Sequence, residues 1–144
     1  MTNLTLTVAQ IAIDPKNANF AALKDHDPRQ GIYATGTDRV THKPMTAYLV
    51  DGFWLRNNVW LDWVEGGNHQ RYEWIDDETF WIESNDVNEA DYILIHETTE
   101  FYSMRDDGLS YDAAHSKHAN VAEYEARQHP EKCVEMLRAL GWQV

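Results

Sequence analysis

The chain has 144 residues, the size of one ordinary domain, and 43% of them are hydrophobic. This composition is sufficient for a buried core and excludes a disordered chain. The net charge of -12 excludes broad binding to a nucleic-acid backbone or to an anionic membrane, because both need a basic protein face.

The cysteine content and the absence of apolar runs indicate where the protein works. The single cysteine, Cys133, cannot form an intrachain disulfide, which fits a reducing compartment. The first 13 residues have neither a basic start nor a long apolar run, so we expect no signal peptide. No stretch approaches the roughly 18 apolar residues of a membrane span. We therefore expect a soluble, cytoplasmic protein, whose acidic charge suits a metal cation, a basic protein or peptide partner, or solubility alone.

The first 45 residues predict little regular structure. Residues 4–13 alternate between apolar and polar side chains, which predicts a strand that ends at Asp14-Pro15. Residues 17–24 predict a short helix with Phe20 and Leu23 facing inward. Residues 25–45 contain two prolines and two glycines and predict an irregular stretch.

Residues 46–84 predict an antiparallel β-meander of about four or five strands. Residues 47–50 and 53–55 flank Asp51-Gly52, a dipeptide that is typical of a type I′ hairpin turn. Residues 59–64, 71–75 and 79–83 predict further strands. The tryptophans of this region are expected in the core, and a substrate platform is the alternative.

Residues 86–142 predict three helices. Asn88 is expected to cap the first helix, and Gly108 is expected to end it in the left-handed conformation. Ser110 is the expected cap of the second helix. Pro130 suits the start of a third helix, which Gly141 ends. The sequence therefore predicts a single α+β domain over residues 1–144, in which the sheet packs with a helical hairpin and a C-terminal helix.

Helical spacing places a polar stripe on the inward face of the first of these helices. His96, Glu97 and Glu100 fall at the spacings that share one helix face, between apolar residues. Buried charged groups without partners cost several kcal/mol, so this stripe needs a metal, another cation or hydrogen bonds. The second helix returns antiparallel to the first, and His115 or His118 can therefore meet the stripe.

Zinc is the metal that this donor set suits best. The stripe supplies a histidine and a carboxylate one turn apart, and His115 supplies a third ligand from the facing helix. Water can take the fourth position, with Glu97 as its base. The alternative is a metal-free network in which Arg71 or Arg105 neutralises Glu100.

Other polar residues are candidates for additional roles near this site. Tyr111 lies on the inward stripe of the second helix, and His69 could reach the site from a turn. Glu123 is expected to pair with Arg127 at the i+4 spacing. His118 is expected to be exposed, because polar residues flank it.

The pentapeptide at residues 96–100, His-Glu-Thr-Thr-Glu, resembles the His-Glu-x-x-His motif of the zincin metallopeptidases. Glu100 stands where that motif has its second histidine. The resemblance implies zinc held by His96, Glu100 and a downstream His115, with Glu97 as the general base of peptide-bond hydrolysis. Residues 79–83, as an edge strand before this helix, also fit the zincin order.

A wider pattern, His-Glu-x-x-Glu followed by Ser-Tyr-Asp-x-Ala-His, covers about residues 47–142. It is similar to a group of small bacterial and phage proteins with no established activity, and it implies a shared fold. The sequence thus predicts a zincin-like metalloprotein that hydrolyses peptide bonds. The alternatives are a non-enzymatic acidic protein, such as a phage-encoded inhibitor of a basic partner, and a structural domain with a metal-free buried network.

Overall fold

A four-stranded sheet packed against helices forms the fold, which confirms the α+β class. The structure is a computed structural model that describes residues 18–144, apart from the side chain of Asp86. The predicted strand at residues 4–13, and the first residue of the helix predicted at 17–24, lie outside the described residues. The described part of that helix is the short α1 (Ala22–Asp25). Leu23 packs against the core as predicted, whereas Phe20 is 37% exposed and does not belong to it.

The sheet is mixed, so the predicted antiparallel meander is wrong. Its strands are β1 (Arg29–Thr37), β2 (Pro44–Val50), β3 (Gly66–Asn68) and β4 (Thr79–Glu83), in the spatial order β1-β2-β4-β3. β1 pairs with β2, and β3 with β4, in antiparallel fashion, but β2 and β4 are parallel. β4 therefore lies inside the sheet, and the expectation that it is an edge strand is also wrong.

β1 lies in the stretch that was predicted to be irregular. It is an edge strand, and most of its residues are exposed, so the apolar alternation of a half-buried strand is missing. Its pairing with β2 shifts register on both sides of Gly31 and Ile32. Such irregular pairing is common at sheet edges, and it interrupts the alternation of side chains by which a strand is predicted from sequence.

Asp51 begins a helix instead of a hairpin turn. Its Oδ1 accepts a hydrogen bond of 3.0 Å from the backbone N–H of Trp54 and caps α2 (Gly52–Asn58). Aspartate serves as a helix cap as readily as a turn residue, so the dipeptide alone could not separate the two outcomes. The strands predicted at residues 53–55, 59–64 and 71–75 are wrong, because α2 and turns occupy this region. The strand predicted at residues 79–83 is confirmed.

The three predicted helices are present. A 3₁₀ turn (Ser84–Glu89) leads into α3 (Ala90–Arg105), so Asn88 lies within that turn and is not the cap. Helix α4 comprises three consecutive segments, an α-helical turn (Tyr111–Ala113), a π-helical segment (Ala114–Ala119) and an α-helical part (Asn120–Gln128). Ser110 caps it as predicted, since its Oγ accepts a hydrogen bond of 3.2 Å from the N–H of Ala113.

The third helix ends at a glycine, as predicted. A 3₁₀ turn (Pro130–Lys132) precedes α5 (Cys133–Ala139). Gly141 has a φ of 110°, and its N–H donates to the carbonyl of Arg138 while that of Trp142 donates to Leu137. These two bonds form the Schellman motif, which needs a residue with positive φ at the position of Gly141. Gly108 is likewise left-handed, with a φ of 67°, but it lies in the turn beyond the end of α3.

Apolar side chains cover both faces of the sheet. Phe80 and Ile82 of β4 point towards α3 and α5, whereas Trp81 points to the opposite face, as the alternation of a strand requires. On that opposite face Trp81 packs with Trp60 and Trp63, which confirms the prediction that tryptophans of this region are in the core.

Helix α3 is central to the fold, because it contacts the sheet as well as α4 and α5. Most of its residues are buried, including three ionisable ones in the middle of the helix, His96, Glu97 and Glu100. In residues 18–144, no helix combines the length and the apolar character that crossing a membrane requires.

Candidate metal centre

The middle of α3 carries the first two candidate ligands. His96 and Glu100 are one helical turn apart, and their exposed fractions are 8% and 1%. Both side chains lie on the face of α3 that packs against α4, as the helical spacing predicted. Because these groups are withdrawn from water, their interactions with each other and with any cation are strong.

The third candidate ligand, His115, lies in the π-helical segment of α4. Ala114 and Ala119 flank it and are fully buried, so α4 can lie close to α3. Its ring stacks on that of Tyr111, with the ring centroids 5.2 Å apart. Single π turns inside α-helices are rare and are found frequently at functional sites.

Three donor atoms from these side chains converge on one point. His115 Nδ1 lies 3.0 Å from Glu100 Oε2 and 3.1 Å from His96 Nε2, and the latter lies 3.4 Å from Glu100 Oε2. Ligands of tetrahedral zinc, with bonds of about 2.0–2.2 Å, are separated from one another by roughly 3.3–3.6 Å. The triad of His96, Glu100 and His115 is thus close to the spacing of a zinc site.

Hydrogen bonds alone account poorly for this triad. His115 Nδ1 lies within 3.4 Å of three polar atoms, those of His96 and Glu100 and the hydroxyl of Tyr111. An imidazole nitrogen carries either one N–H or one lone pair, and it can make only one well-directed hydrogen bond. A cation at the centre of the triad would satisfy all three donor atoms at once.

The other nitrogen of His96 faces a carboxylate of α4. Glu123 Oε1 lies 2.9 Å from His96 Nδ1, in an ion-pair contact that is not aligned as a hydrogen bond. The second oxygen of Glu123 accepts a hydrogen bond of 2.8 Å from Arg127, which confirms the predicted i+4 pair. A carboxylate on the far side of a metal-ligating histidine is a usual outer partner, since it orients the ring and raises its basicity.

Asn68, at the end of β3, is a site residue that the sequence reasoning missed. It is fully buried, and its Nδ2 donates a hydrogen bond of 3.2 Å to Glu100 Oε1. β3 can lie this close to α3 because Gly66 has no side chain. A Cβ atom at this position would lie 2.7 Å from the side chain of Ile93. The adjacent glycines of the Gly-Gly-Asn run were the only available signal, and they indicate a close backbone approach.

The buried charges perturb one another. Burial and the nearby Glu100 raise the pKa of Glu97. Burial would also raise the pKa of Glu100, but hydrogen bonds from His115 and His96 lower it overall. Burial opposes the charged form of His96, yet contacts with Glu100 and Glu123 outweigh it and raise its pKa to about 10. Without a metal the site therefore holds a proton on His96, which a metal ion must displace.

The triad lies at the wall of a cavity of about 300 Å³. Glu97 lines the same cavity, and its Oε2 is 3.9 Å from His96 Nε2. The remaining lining combines aromatic and charged side chains, including Trp60, Tyr72, Arg71, Tyr111 and Glu123. The triad thus has an open side, on which a small molecule or one residue of a peptide can be accommodated.

No known protein family, curated protein or solved structure matches this chain.

The other candidate residues are placed as follows. Tyr111 and Arg71 line the cavity, and the guanidinium of Arg71 lies 3.8 Å above the Tyr111 ring. His69 does not reach the triad, because its Nδ1 lies 2.6 Å from the carbonyl of Ile75. His118 is exposed, as predicted, and its Nδ1 is 2.9 Å from Ser103 Oγ.

Arg105 does not neutralise Glu100. It lies at the C-terminal end of α3, where it pairs with Asp38, Glu78 and Asp106. That part of the alternative metal-free network is therefore wrong, and the described partners of Glu100 are Asn68, His96 and His115. The arrangement brings together three side chains that could hold a metal ion, an adjacent carboxylate and an open cavity.

Proposed function

We propose that this protein is a zinc-dependent hydrolase of peptide bonds, with His96, Glu100 and His115 as the zinc ligands. The observation that carries the proposal is the convergence of three donor atoms, 3.0–3.4 Å apart, at the wall of an open cavity. Catalytic zinc sites keep three protein ligands and one open position, and two histidines with one glutamate are a ligand set of zinc peptidases.

Glu97 is the general base in this proposal. It immediately follows the first ligand in the chain, and its carboxylate borders both the triad and the cavity. Zinc, when bound, polarises the scissile carbonyl and acidifies a water molecule. Glu97 would take a proton from the attacking water, whose oxygen bonds to the scissile carbonyl carbon, and would return it to the amine nitrogen as the C–N bond breaks. The resemblance of residues 96–100 to the zincin motif supports the same assignment.

A charge-compensated network without metal is the second candidate. Its supporting observation is that His96 lies between Glu100 and Glu123, which stabilise its protonated form. In this case the polar groups are paired within the protein and serve the specificity of the fold. The acidic surface, with a net charge of -12, would then suit a non-enzymatic protein that binds a basic partner.

Metal analysis of the purified protein separates the two candidates. The zinc proposal predicts about one zinc ion per chain after reconstitution and dialysis, as for a three-ligand site. Glu100→Ala should lose this zinc, whereas Glu125→Ala should keep it, because Glu125 is an exposed residue of α4. A wild-type protein that takes up no zinc, and whose melting temperature is the same with and without a chelator, would favour the metal-free network.

A peptide library with a fluorescence readout tests the hydrolase. Glu97→Gln should retain zinc and the fold but lose about 10²- to 10⁴-fold in rate, the usual contribution of a general base. Equal rates for Glu97→Gln and wild type, at equal zinc content, would remove Glu97 from the mechanism. If zinc-loaded wild type cleaves no member of the library, the hydrolase proposal is refuted and only the proposal of zinc binding stands.

A further inference from the structure

We propose that Asn68 is a positioning residue that fixes Glu100 as a one-oxygen metal ligand. This inference rests on the zinc site proposed above. It concerns a residue outside the triad, and its consequence is measured on metal binding rather than on hydrolysis.

The side-chain amide of Asn68 is fully occupied. Nδ2 donates to Glu100 Oε1 at 3.2 Å and to the carbonyl oxygen of Glu97 at 3.4 Å. Oδ1 accepts from the backbone N–H groups of Gln70, at 2.9 Å, and Arg71, at 3.3 Å. A primary amide has two N–H donors and one oxygen with two lone pairs, so every capacity is used. Rotating the amide by 180° would lose these contacts, and its orientation is therefore fixed.

This fixed amide gives the two carboxylate oxygens of Glu100 different partners. Oε1 is held by Asn68, while Oε2 faces His115 at 3.0 Å and His96 at 3.4 Å. A carboxylate can bind a metal through one oxygen or through both. With Oε1 held by Asn68, Glu100 presents only Oε2 to the triad, which keeps the fourth coordination position open towards the cavity.

The same amide connects the triad to one wall of the cavity. Its oxygen anchors the turn at residues 69–71, and Arg71 of this turn and the following Tyr72 both line the cavity. The residue is 0% exposed, so a lost hydrogen bond cannot be replaced by bulk water. Outer partners of this kind typically change metal affinity 10- to 100-fold when they are replaced.

Asn68→Asp removes the N–H donor to Glu100 and to the carbonyl of Glu97, and it places a carboxylate beside Glu100. The new carboxylate keeps the acceptor for Gln70 and Arg71 but replaces the N–H that Glu100 accepts from. Asn120→Asp is the matched control, because Asn120 is an exposed residue lining the same cavity and receives the same change of charge. Asn68→Ala is the second variant, in which both donor and acceptor are removed.

Two measurements are made on each variant, zinc affinity by competition with a chromophoric chelator and the visible absorption spectrum of the Co²⁺-loaded protein. Zinc affinity should fall about 10- to 100-fold in both Asn68 variants and by less than about 3-fold in Asn120→Asp. The Co²⁺ spectrum should change in the Asn68 variants alone, because it reports the number and geometry of the ligands. A merely structural role would leave that spectrum unchanged.

Wild-type affinity and an unchanged Co²⁺ spectrum in Asn68→Asp would overturn the positioning role, while zinc binding by wild type would still stand. If only Asn68→Ala loses affinity, the turn and not the donor matters, and the inference is likewise overturned. If Asn68→Asp does not fold, the inference requires that Asn68→Ala change the Co²⁺ spectrum as well as the zinc affinity, and an unchanged spectrum in that variant overturns it. Failure of wild type to bind zinc overturns the zinc site and this inference together.

Discussion

His115→Ala should remove most of the stabilisation that zinc gives this protein. A ligand that binds only the native state adds about 2.7 kcal/mol of stability at 100 times its Kd. For a domain of this size that free energy corresponds to a rise in Tm of roughly 10 °C. His115 supplies one of three donor atoms, at 3.0 and 3.1 Å from the other two ligands. Losing a ligand should weaken binding by at least the roughly 100-fold found for outer partners.

At the same zinc concentration, a 100-fold loss leaves about 0.4 kcal/mol of stabilisation and a Tm rise of about 2 °C. The metal-free variant should itself be less stable by about 1–3 kcal/mol, because Glu100 loses a buried hydrogen-bond partner. Circular dichroism melts with zinc and with a chelator measure both effects. His118→Ala is the control, since His118 contacts Ser103 outside the triad. An equal zinc-dependent rise in His115→Ala and wild type would refute the assignment of His115 as a ligand.

Three further predictions concern parts of the fold that support the site. Burial and a hydrogen bond with Asp38 raise the pKa of Glu78 to about 7, from an ordinary value of 4.5. The native state therefore retains a proton that the unfolded chain releases, so this group lowers the free energy of unfolding as pH rises from about 4.5 through 7. After allowance for screening by water the loss is about 1–2 kcal/mol. Between pH 5 and pH 8, the free energy of unfolding in urea should fall less for Glu78→Gln than for wild type. An equal fall in the two proteins would contradict this. Gly66→Ala should destabilise the protein by about 1–3 kcal/mol, because the added methyl group would lie 2.7 Å from Ile93 and 3.0 Å from Glu97. An unchanged urea midpoint would show that β3 can move away from α3. Ser110→Ala should cost about 1 kcal/mol by removing the cap of α4, whereas Ser116→Ala at an exposed position should cost little. Equal unfolding free energies for these two serine variants would count against the cap.

The local patterns of the chain predicted much of the helical part. The spacing of His96 and Glu100 placed both on the buried face of α3, and Ser110 and Gly141 marked helix ends by their own chemistry. β4 was also predicted correctly, because its residues form a short apolar run bounded by turns. In each of these cases the signal and the structure that it specifies lie within a few residues of each other.

The sheet and the outer part of the site depend on distant contacts. The parallel pairing of β2 with β4 joins residues more than 30 positions apart, and no local pattern encodes it. Asp51 could begin a turn or a helix, and the packing of α2 selected the helix. Asn68 is separated by 32 positions from Glu100, so only the fold brings its amide to that carboxylate.

The π-helical segment of α4 has a consequence for insertions and deletions. His115 and Glu123 are eight positions apart, and in a regular α-helix of 3.6 residues per turn they would point about 80° away from each other. Both nevertheless contact the same imidazole of His96, because the wider turns at Ala114–Ala119 wind fewer degrees per residue. Deleting one residue there would leave them seven positions apart, which regular winding places within about 20° of each other, so both could still face α3, whereas regular winding of all eight positions would turn one of them away. The π-helical segment thus accommodates one additional residue between His115 and Glu123 while both keep contact with His96.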